Sequence, residues 1–153
     1  MNILFAGTPE PSAKLLQSLV KNNNINMVGV ITKPDIAQNR GKKIQQSQVS
    51  SAASEVNLPI YKPDNLNSIE FKQILLQLDF DFLIVAAYGK IIPDWMLESP
   101  KIMSINVHYS LLPKYRGASP IQSCLLNGDK KTGITFIKMS NKLDEGECIQ
   151  KYE

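Results

Sequence analysis

Short apolar segments alternate along the chain with segments whose apolar residues recur every three or four positions. The first pattern predicts β-strands and the second predicts helices. Strands are predicted over residues 2–6, 27–31, 58–61, 82–87, 102–107 and 148–152. Helices are predicted over residues 11–20, 49–56, 69–78 and 119–126, with a helical turn over 93–97. Strands separated by helices predict an α/β fold with a mainly parallel sheet flanked by helices.

The remaining segments have no clear period. Residues 33–48 are polar and basic and are predicted to form a long loop, as are residues 141–147, whereas residues 132–139 alternate imperfectly. In open parallel sheets, ligands bind outside the carboxyl ends of the strands. The loops where functional residues are expected therefore follow Ala6, Ile31, Ala87, Val107 and Met139. The first of these loops lacks a G-x-G-x-x-G pattern, which argues against a dinucleotide site.

Composition limits the classes of protein that are possible. A chain of 153 residues, 43% hydrophobic and 20% charged, is expected to be one globular domain over residues 1–153. Its longest apolar run, residues 82–88, is far shorter than the ~20 residues of a membrane span. With only Cys124, Cys148 and one histidine, neither a disulfide framework nor a multi-histidine metal site is expected. A cytoplasmic protein without a metal is the resulting expectation.

Charge adds a candidate surface. The net charge of +3 is mild, and Arg40 and Arg116 are the only arginines among 17 basic residues. Arg40, Lys42 and Lys43 make residues 33–48 a basic loop. Such a run is usually a solvated surface, but it is also what a protein needs to contact a phosphate backbone.

The segment 104–113 carries candidate chemistry. Alternation along a strand places Asn106 and His108 on one face, at the carboxyl end where a ligand is expected. An amide and an imidazole side by side could stabilise a developing oxyanion. The alternative interpretation is a buried histidine that is hydrogen-bonded to the backbone. The apolar residues Leu111, Leu112 and Pro113 follow, either lining a pocket or filling the core.

The loop over residues 140–147 contains the carboxylates of Asp144, Glu145 and Glu147. Acidic clusters of this kind are usually solvated turns. Alternatively, one carboxylate near His108 could orient the imidazole or take up a proton through a water molecule.

In combination, these motifs resemble the folate-dependent formyltransferases. The shared motifs are Asn106-Val-His108, Ser110-Leu-Leu-Pro113, Arg116-Gly117 and Leu143-Asp144-x-Gly146. The similarity is greater to the members that formylate methionyl-tRNA. It extends to Phe5-Ala-Gly-Thr-Pro9, Thr32-Lys-Pro-Asp35, Arg40-Gly-Lys-Lys43, Ala87-Tyr-Gly89, Ile92-Pro93 and Lys114-Tyr-Arg-Gly-Ala-Ser-Pro-Ile121. The motifs span nearly the whole chain in order.

The resemblance implies a Rossmann-like catalytic domain of the formyltransferase fold. It implies 10-formyltetrahydrofolate as formyl donor, without a metal, and the amino group of initiator methionyl-tRNA as acceptor. By matching position, the catalytic residues are Asn106, His108 and Asp144. The folate-contacting residues are Ser110, Leu111, Leu112, Pro113, Tyr88, Ile91 and Ile92. The tRNA-contacting residues are Arg40, Lys42 and Lys43, with Arg40 the leading candidate.

The sequence departs from the family at its carboxyl end. The family's full enzymes carry a second, barrel-like domain without a counterpart here, and the chain stops soon after Asp144. A catalytic domain that is incomplete at its C-terminus is therefore expected, as a fragment or as a truncated product. The alternatives are a glycinamide-nucleotide or sugar-nucleotide formyltransferase, a formylfolate hydrolase, or a non-catalytic remnant that binds folate or tRNA.

Overall fold

The computed structural model describes residues 1–38, 43–142 and 144–153. The strands are β1 (Asn2–Gly7), β2 (Asn26–Ile31), β3 (Ile36–Gln38), β4 (Lys43–Gln45), β5 (Ile60–Tyr61), β6 (Phe82–Ala86), β7 (Met103–His108), β8 (Ile134–Lys138) and β9 (Cys148–Tyr152). The helices are α1 (Glu10–Val20), α2 (Gln48–Glu55), α3 (Ile69–Leu76), α4 (Asp94–Leu97) and α5 (Pro120–Leu126). Within those ranges, every helix is too short or too polar to cross a membrane.

The main sheet has seven strands in the order β5-β2-β1-β6-β7-β8-β9. The first five strands in this order, from β5 through β2, β1 and β6 to β7, are mutually parallel. Strands β8 and β9 follow at one edge, and each is antiparallel to the strand before it. The prediction of an α/β fold with a mainly parallel sheet is therefore confirmed. Val85 of β6 pairs with Asn106 of β7, so the apolar central strand adjoins the strand that carries the candidate residues.

Both faces of the parallel strands are covered. Leu4 and Leu83 pack on one face against residues of α3 and α4, and Phe5 and Val107 pack on the other against α1 and α2. This burial on two sides explains why the central strands are continuously apolar instead of alternating. Asn106 shares the α3 and α4 face, because it lies beside Val85 in the sheet.

Helices α2 and α3 each begin with a serine cap. The Ser47 hydroxyl accepts a hydrogen bond from the Ser50 N–H (2.9 Å) at the start of α2. The Ser68 hydroxyl accepts one from the Phe71 N–H (3.2 Å) at the start of α3. A serine in this position satisfies a backbone donor that has no partner within the helix.

Residues 33–48 differ from the prediction of one long loop. They contain the antiparallel pair β3 and β4 and the first residue of α2, so the loop prediction was wrong there. Strands of three residues are too short to show a period in the sequence. Of the predicted tRNA-contacting residues, Arg40 and Lys42 lie outside the described residues, and Lys43 begins β4.

The loop after Met139 does not leave from the expected edge of the sheet. His108 pairs with Thr135 and Ile105 pairs with Lys138, because β8 runs antiparallel to β7. The Met139 N–H donates to the Ser104 carbonyl (2.8 Å), near the amino end of β7. The expectation of a carboxyl-edge loop after Met139 was therefore wrong, although this loop leads back to the candidate residues.

Candidate active site

The side chains of Asn106, His108 and Asp144 meet on one face of β7. The Asn106 Nδ2 donates to Asp144 Oδ1 (3.1 Å), and the His108 Nδ1 lies 3.6 Å from the same oxygen. His108 and Asp144 are buried, whereas Asn106 is half-buried. The structure thus brings together an amide, an imidazole and a carboxylate from positions 38 residues apart in the chain.

The position of Asp144 is fixed by backbone contacts as well. Its Oδ2 accepts a hydrogen bond from the Gly117 N–H (2.8 Å), and its own φ of 51° is left-handed. At Gly146, a Cβ would collide with the Lys138 carbonyl oxygen, so the loop lies close against β8. Glu145 is exposed, so Asp144 alone among the described carboxylates of this loop is buried.

The protonation of His108 at one ring nitrogen follows from its partner. Its Nε2 lies 2.8 Å from the Tyr115 carbonyl oxygen. A carbonyl only accepts hydrogen bonds, so Nε2 carries the proton in this contact. Nδ1 is then the ring nitrogen that faces Asp144, and it holds a lone pair when the ring is neutral.

Tyr115, which supplies that carbonyl, is itself held by its side chain. Its hydroxyl donates to Asp129 Oδ2 (2.8 Å), and the Lys114 Nζ lies 3.3 Å from the same oxygen. The hydrogen bond to Asp129 raises the pKa of Tyr115, and those from Tyr115 and Lys114 lower the pKa of Asp129. The sequence analysis did not identify Tyr115 and Asp129 as site residues. A hydrogen bond from a histidine ring to a backbone carbonyl leaves no signal in the side-chain types.

A cavity near the amino end of β7 opens on the face of the strand that carries Asn106. It has a volume of about 420 Å³, with apolar walls from Leu97 and Met139 and polar groups from Asp94 and Asn141. Ser104 also lines it and, two residues before Asn106, shares the face of β7 that carries Asn106. Two residues of a strand span roughly 7 Å, which separates Ser104 from Asn106, and the lining of the cavity does not include Asn106, His108 or Asp144. A smaller cavity of about 220 Å³ is lined by Leu111 and Tyr115 among others.

Comparison with known proteins places the chain in a family. The family model described as formyl transferase matches residues 1–153. The chain belongs to the formyl transferase family. It is 48% identical over 149 residues to a methionyl-tRNA formyltransferase of Buchnera aphidicola, covering 97% of this chain and 46% of that protein. It is 44% identical over 152 residues to that of Thermotoga maritima, covering 99% of this chain and 48% of that protein. It thus spans about half the length of these curated relatives.

Solved formyltransferase structures share the fold. A phosphoribosylglycinamide formyltransferase from Anaplasma phagocytophilum has a TM-score of 0.75 at 20% identity, covering 99% of this chain and 70% of that chain. A sugar 3N-formyl transferase, solved in the presence of dTDP and 5-N-formyl-THF, has a TM-score of 0.64 at 24% identity. That match covers 99% of this chain and 51% of the sugar enzyme.

The predicted folate-contacting residues have different surroundings in this structure. Tyr88 and Ile92 are buried in the core, whereas Ile91 is 92% exposed, and none of the three lines either cavity. Burial raises the pKa of Tyr88 to about 12, and its hydroxyl has no hydrogen-bond partner in the described part of the chain. The sequence analysis did not identify Asp94 and Asn141, which line the first of these cavities. For Ser104, which also lines it, a signal existed, because Ser104 shares the period-two face of Asn106 and His108 on β7.

The stretch from Ser110 to Pro113 is held rigidly by Thr135. The Thr135 hydroxyl donates to the Ser110 carbonyl (2.7 Å) and accepts from the Leu112 N–H (3.1 Å), and both contacts are buried. Ser110 and Leu112 are buried, whereas Leu111 is half-buried and Pro113 is exposed. Because Thr135 pairs with His108 in the sheet, this stretch and the imidazole are positioned by the same strand.

Thr135→Val is expected to lower the free energy of unfolding by about 1–3 kcal/mol. The valine methyl keeps the volume but leaves a buried carbonyl and a buried N–H without their partner. Urea denaturation of the two proteins measures the difference. The exposed Thr132→Val is the matched control, with a change within about 0.5 kcal/mol. Equal stability of the two variants would contradict a structural role for the Thr135 hydroxyl.

In the described ranges, no three histidine, cysteine or acidic side chains are grouped as metal ligands. The groups that this site offers for chemistry are the amide of Asn106, the imidazole of His108 and the carboxylate of Asp144.

Proposed function

We propose that this chain transfers the formyl group of 10-formyltetrahydrofolate to the amino group of initiator methionyl-tRNA. The observation that carries the proposal is the meeting of Asn106, His108 and Asp144 on one face of β7. Family membership supports formyl transfer, and the curated relatives named methionyl-tRNA formyltransferase support this acceptor.

The first step of the proposed reaction forms a bond between the amine nitrogen and the formyl carbon. The formyl oxygen then gains negative charge in a tetrahedral centre. The Asn106 amide has two N–H groups, of which one donates to Asp144. The second N–H is the donor that we assign to the oxyanion, where a preorganised donor lowers the barrier.

The next steps move protons. The attacking amine loses a proton to the carboxylate of Asp144, directly or through a water molecule, and the bond between the formyl carbon and the folate nitrogen breaks. The leaving nitrogen takes up the proton that Asp144 received, so Asp144 returns to its charged form and atoms and charge balance. His108 acts through Nδ1, because Nε2 is bonded to Tyr115. A proton on Nδ1 supplies a second donor to the oxyanion, and Asp144 compensates the resulting positive charge.

Direct attack by the amine is favoured over a covalent enzyme intermediate. Ser110, two positions after His108, donates to the Lys114 carbonyl (2.6 Å) and is buried. Cys124 is buried on α5 and Cys148 is exposed on β9. The described contacts give none of these nucleophiles a partner base, which covalent catalysis requires.

The cavity next to Ser104 fits the ring end of a reduced folate. A flat heterocycle with a polar edge needs apolar walls together with a few donors and acceptors. Leu97 and Met139 provide such walls, and Asp94 and Asn141 provide polar groups. A molecule seated there lies along the face of β7 that leads to Asn106.

For the tRNA partner, we propose the basic segment that contains Arg40, Lys42 and Lys43. Each phosphate that a cation neutralises releases a counterion, so the affinity for tRNA should depend on salt. Arg40→Ala and Lys42→Ala are expected to weaken tRNA binding and flatten its salt dependence by about one unit of slope each, while leaving folate affinity unchanged.

The matched control for these two variants is Lys101→Ala. Lys101 is exposed and pairs with Asp79 just before β7, close to the amino end of that strand. Binding titrations at several salt concentrations measure the slope. If the Arg40 and Lys42 variants keep the slope of the Lys101 variant, the segment is only a solvated surface.

A single experiment tests the acceptor. The protein is incubated with the formylfolate and, separately, with charged initiator tRNA, glycinamide ribonucleotide and an amino-sugar nucleotide. Formylation of the tRNA alone is the expected result. The solved neighbours named for glycinamide ribonucleotide and sugar substrates motivate the competing acceptors, although those structures share only the fold. Formate release without an acceptor would indicate the hydrolase alternative.

A further inference from the structure

Tyr115 connects His108 to an acidic residue outside the catalytic cluster. Its backbone carbonyl accepts from the His108 Nε2 (2.8 Å), and its hydroxyl donates to Asp129 Oδ2 (2.8 Å). The residue has a left-handed φ of 57°, which is uncommon for a side chain of this size. Asp129 follows α5, so the connection joins the end of that helix to the imidazole.

We infer that Asp129 is a positioning residue for His108, acting through the Tyr115 hydroxyl to hold the Tyr115 carbonyl on Nε2. The inference rests on the proposed function for its effect on catalysis, but the effect on the imidazole is independent of that function. We call the connected groups of Asp129, Tyr115 and His108 the latch.

The physical reason lies in the backbone of Tyr115. A left-handed, non-glycine conformation persists only where surrounding contacts determine it. The hydrogen bond to a charged Asp129 is such a contact, and it is stronger than a bond between neutral groups. Without it, the backbone of Tyr115 is free to relax and to withdraw its carbonyl from Nε2.

Loss of the carbonyl changes the chemistry of the ring. The hydrogen bond that one ring nitrogen makes determines which nitrogen carries the proton. A ring released from Tyr115 exchanges between its two tautomers and turns more freely. A ring that rotates moves Nδ1 away from Asp144 and displaces the donor from the oxyanion. We therefore expect kcat to fall while binding of both substrates persists.

The ring can be observed directly, because the chain contains one histidine. In protein labelled with ¹⁵N-histidine, two-bond ¹H–¹⁵N spectra should show a protonated Nε2 and an unprotonated Nδ1 at high pH. Tyr115→Phe and Asp129→Ala should each move the two nitrogen shifts toward a tautomer mixture. Asp129→Asn keeps an oxygen that accepts from Tyr115 and should restore most of the original spectrum.

Lys114→Gln is the matched control. Lys114 contacts the same Asp129 oxygen at 3.3 Å but leaves the Tyr115 hydrogen bond in place. Its spectrum should match that of the unmodified protein. This comparison separates the effect of the hydrogen bond between Tyr115 and Asp129 from the effect of losing the charge pair between Lys114 and Asp129.

Steady-state kinetics completes the test. Tyr115→Phe and Asp129→Ala should lower kcat about tenfold or more, with both KM values within about twofold. Asp129→Asn should recover most of kcat. An unchanged imidazole spectrum in the folded variants, or a changed spectrum with unchanged kcat, would overturn the inference. If the unmodified protein formylates no acceptor, the proposed function fails, and the spectra alone decide whether the latch exists.

Discussion

Asn106→Ala is expected to lower kcat for formyl transfer at least about 100-fold, because one oxyanion donor is commonly worth about 10²–10³ in rate. The Asn106 amide is half-buried, and its bond to Asp144 (3.1 Å) orients it. The second N–H group therefore has a fixed direction. Single-turnover measurements with saturating formylfolate and methionyl-tRNA report this loss directly, since they separate the chemical step from substrate binding.

Asn26→Ala is the control for this substitution. Asn26 starts β2 at the amino end of the parallel strands, and its amide donates to Asn2 Oδ1 (3.0 Å) in an exposed position. The control removes an equivalent hydrogen-bonded amide from the far edge of the sheet, and its kcat should stay within about twofold. A loss of less than tenfold for Asn106→Ala would remove Asn106 from the proposed role.

The central fold could be predicted because burial leaves a direct pattern in the sequence. Strands β1 and β6 are covered on both faces and are therefore continuously apolar. Period-two alternation on β7 correctly placed Asn106 and His108 side by side. Val107 and Tyr109 pack on the opposite face with the α1 and α2 side of the core, as alternation requires.

The short strands β3 and β4 and the directions of β8 and β9 could not be predicted in the same way. Strands β3 and β4 have three residues each, so no period is visible. Strand β9 is exposed along its whole length, and its direction relative to β8 depends on pairing, which periodicity does not encode. The antiparallel direction of β8 then moved the start of the following loop to the other edge of the sheet.

The contacts that orient the site were also beyond a sequence-based prediction. The partners of His108 and Asp144 include the Tyr115 carbonyl and the Gly117 N–H. Every residue except proline has both of these backbone groups, so only the three-dimensional path of the chain selects them. Asp129 acts through Tyr115, and no local motif connects it to a histidine 21 positions earlier.

Asp144→Asn is expected to lower kcat at least about 100-fold, because a general base contributes about 10²–10⁴ to the rate. Asparagine preserves the shape of the side chain but has no negative charge and one acceptor oxygen instead of two. Asp144 accepts from both Asn106 and Gly117, so one of these donors must face an amide N–H in the variant. A loss of stability of about 1–3 kcal/mol should accompany the kinetic effect. Activity assays at a temperature well below the midpoint of thermal unfolding separate the fall in kcat from the loss of stability.

Glu145→Gln tests whether the expected loss of activity comes from the buried Asp144 carboxylate or from the negative charge of the loop. Glu145 is the next residue in the same loop, is exposed, and lies 3.5 Å from the Arg116 guanidinium. Exposed pairs of this kind contribute about 1 kcal/mol or less, so its kcat should stay within about twofold. If both variants lose activity equally, the charge of the loop as a whole is what matters. If only Asp144→Asn loses activity, the effect belongs to the carboxylate that the fold buries beside His108, because the two substitutions remove the same charge one residue apart.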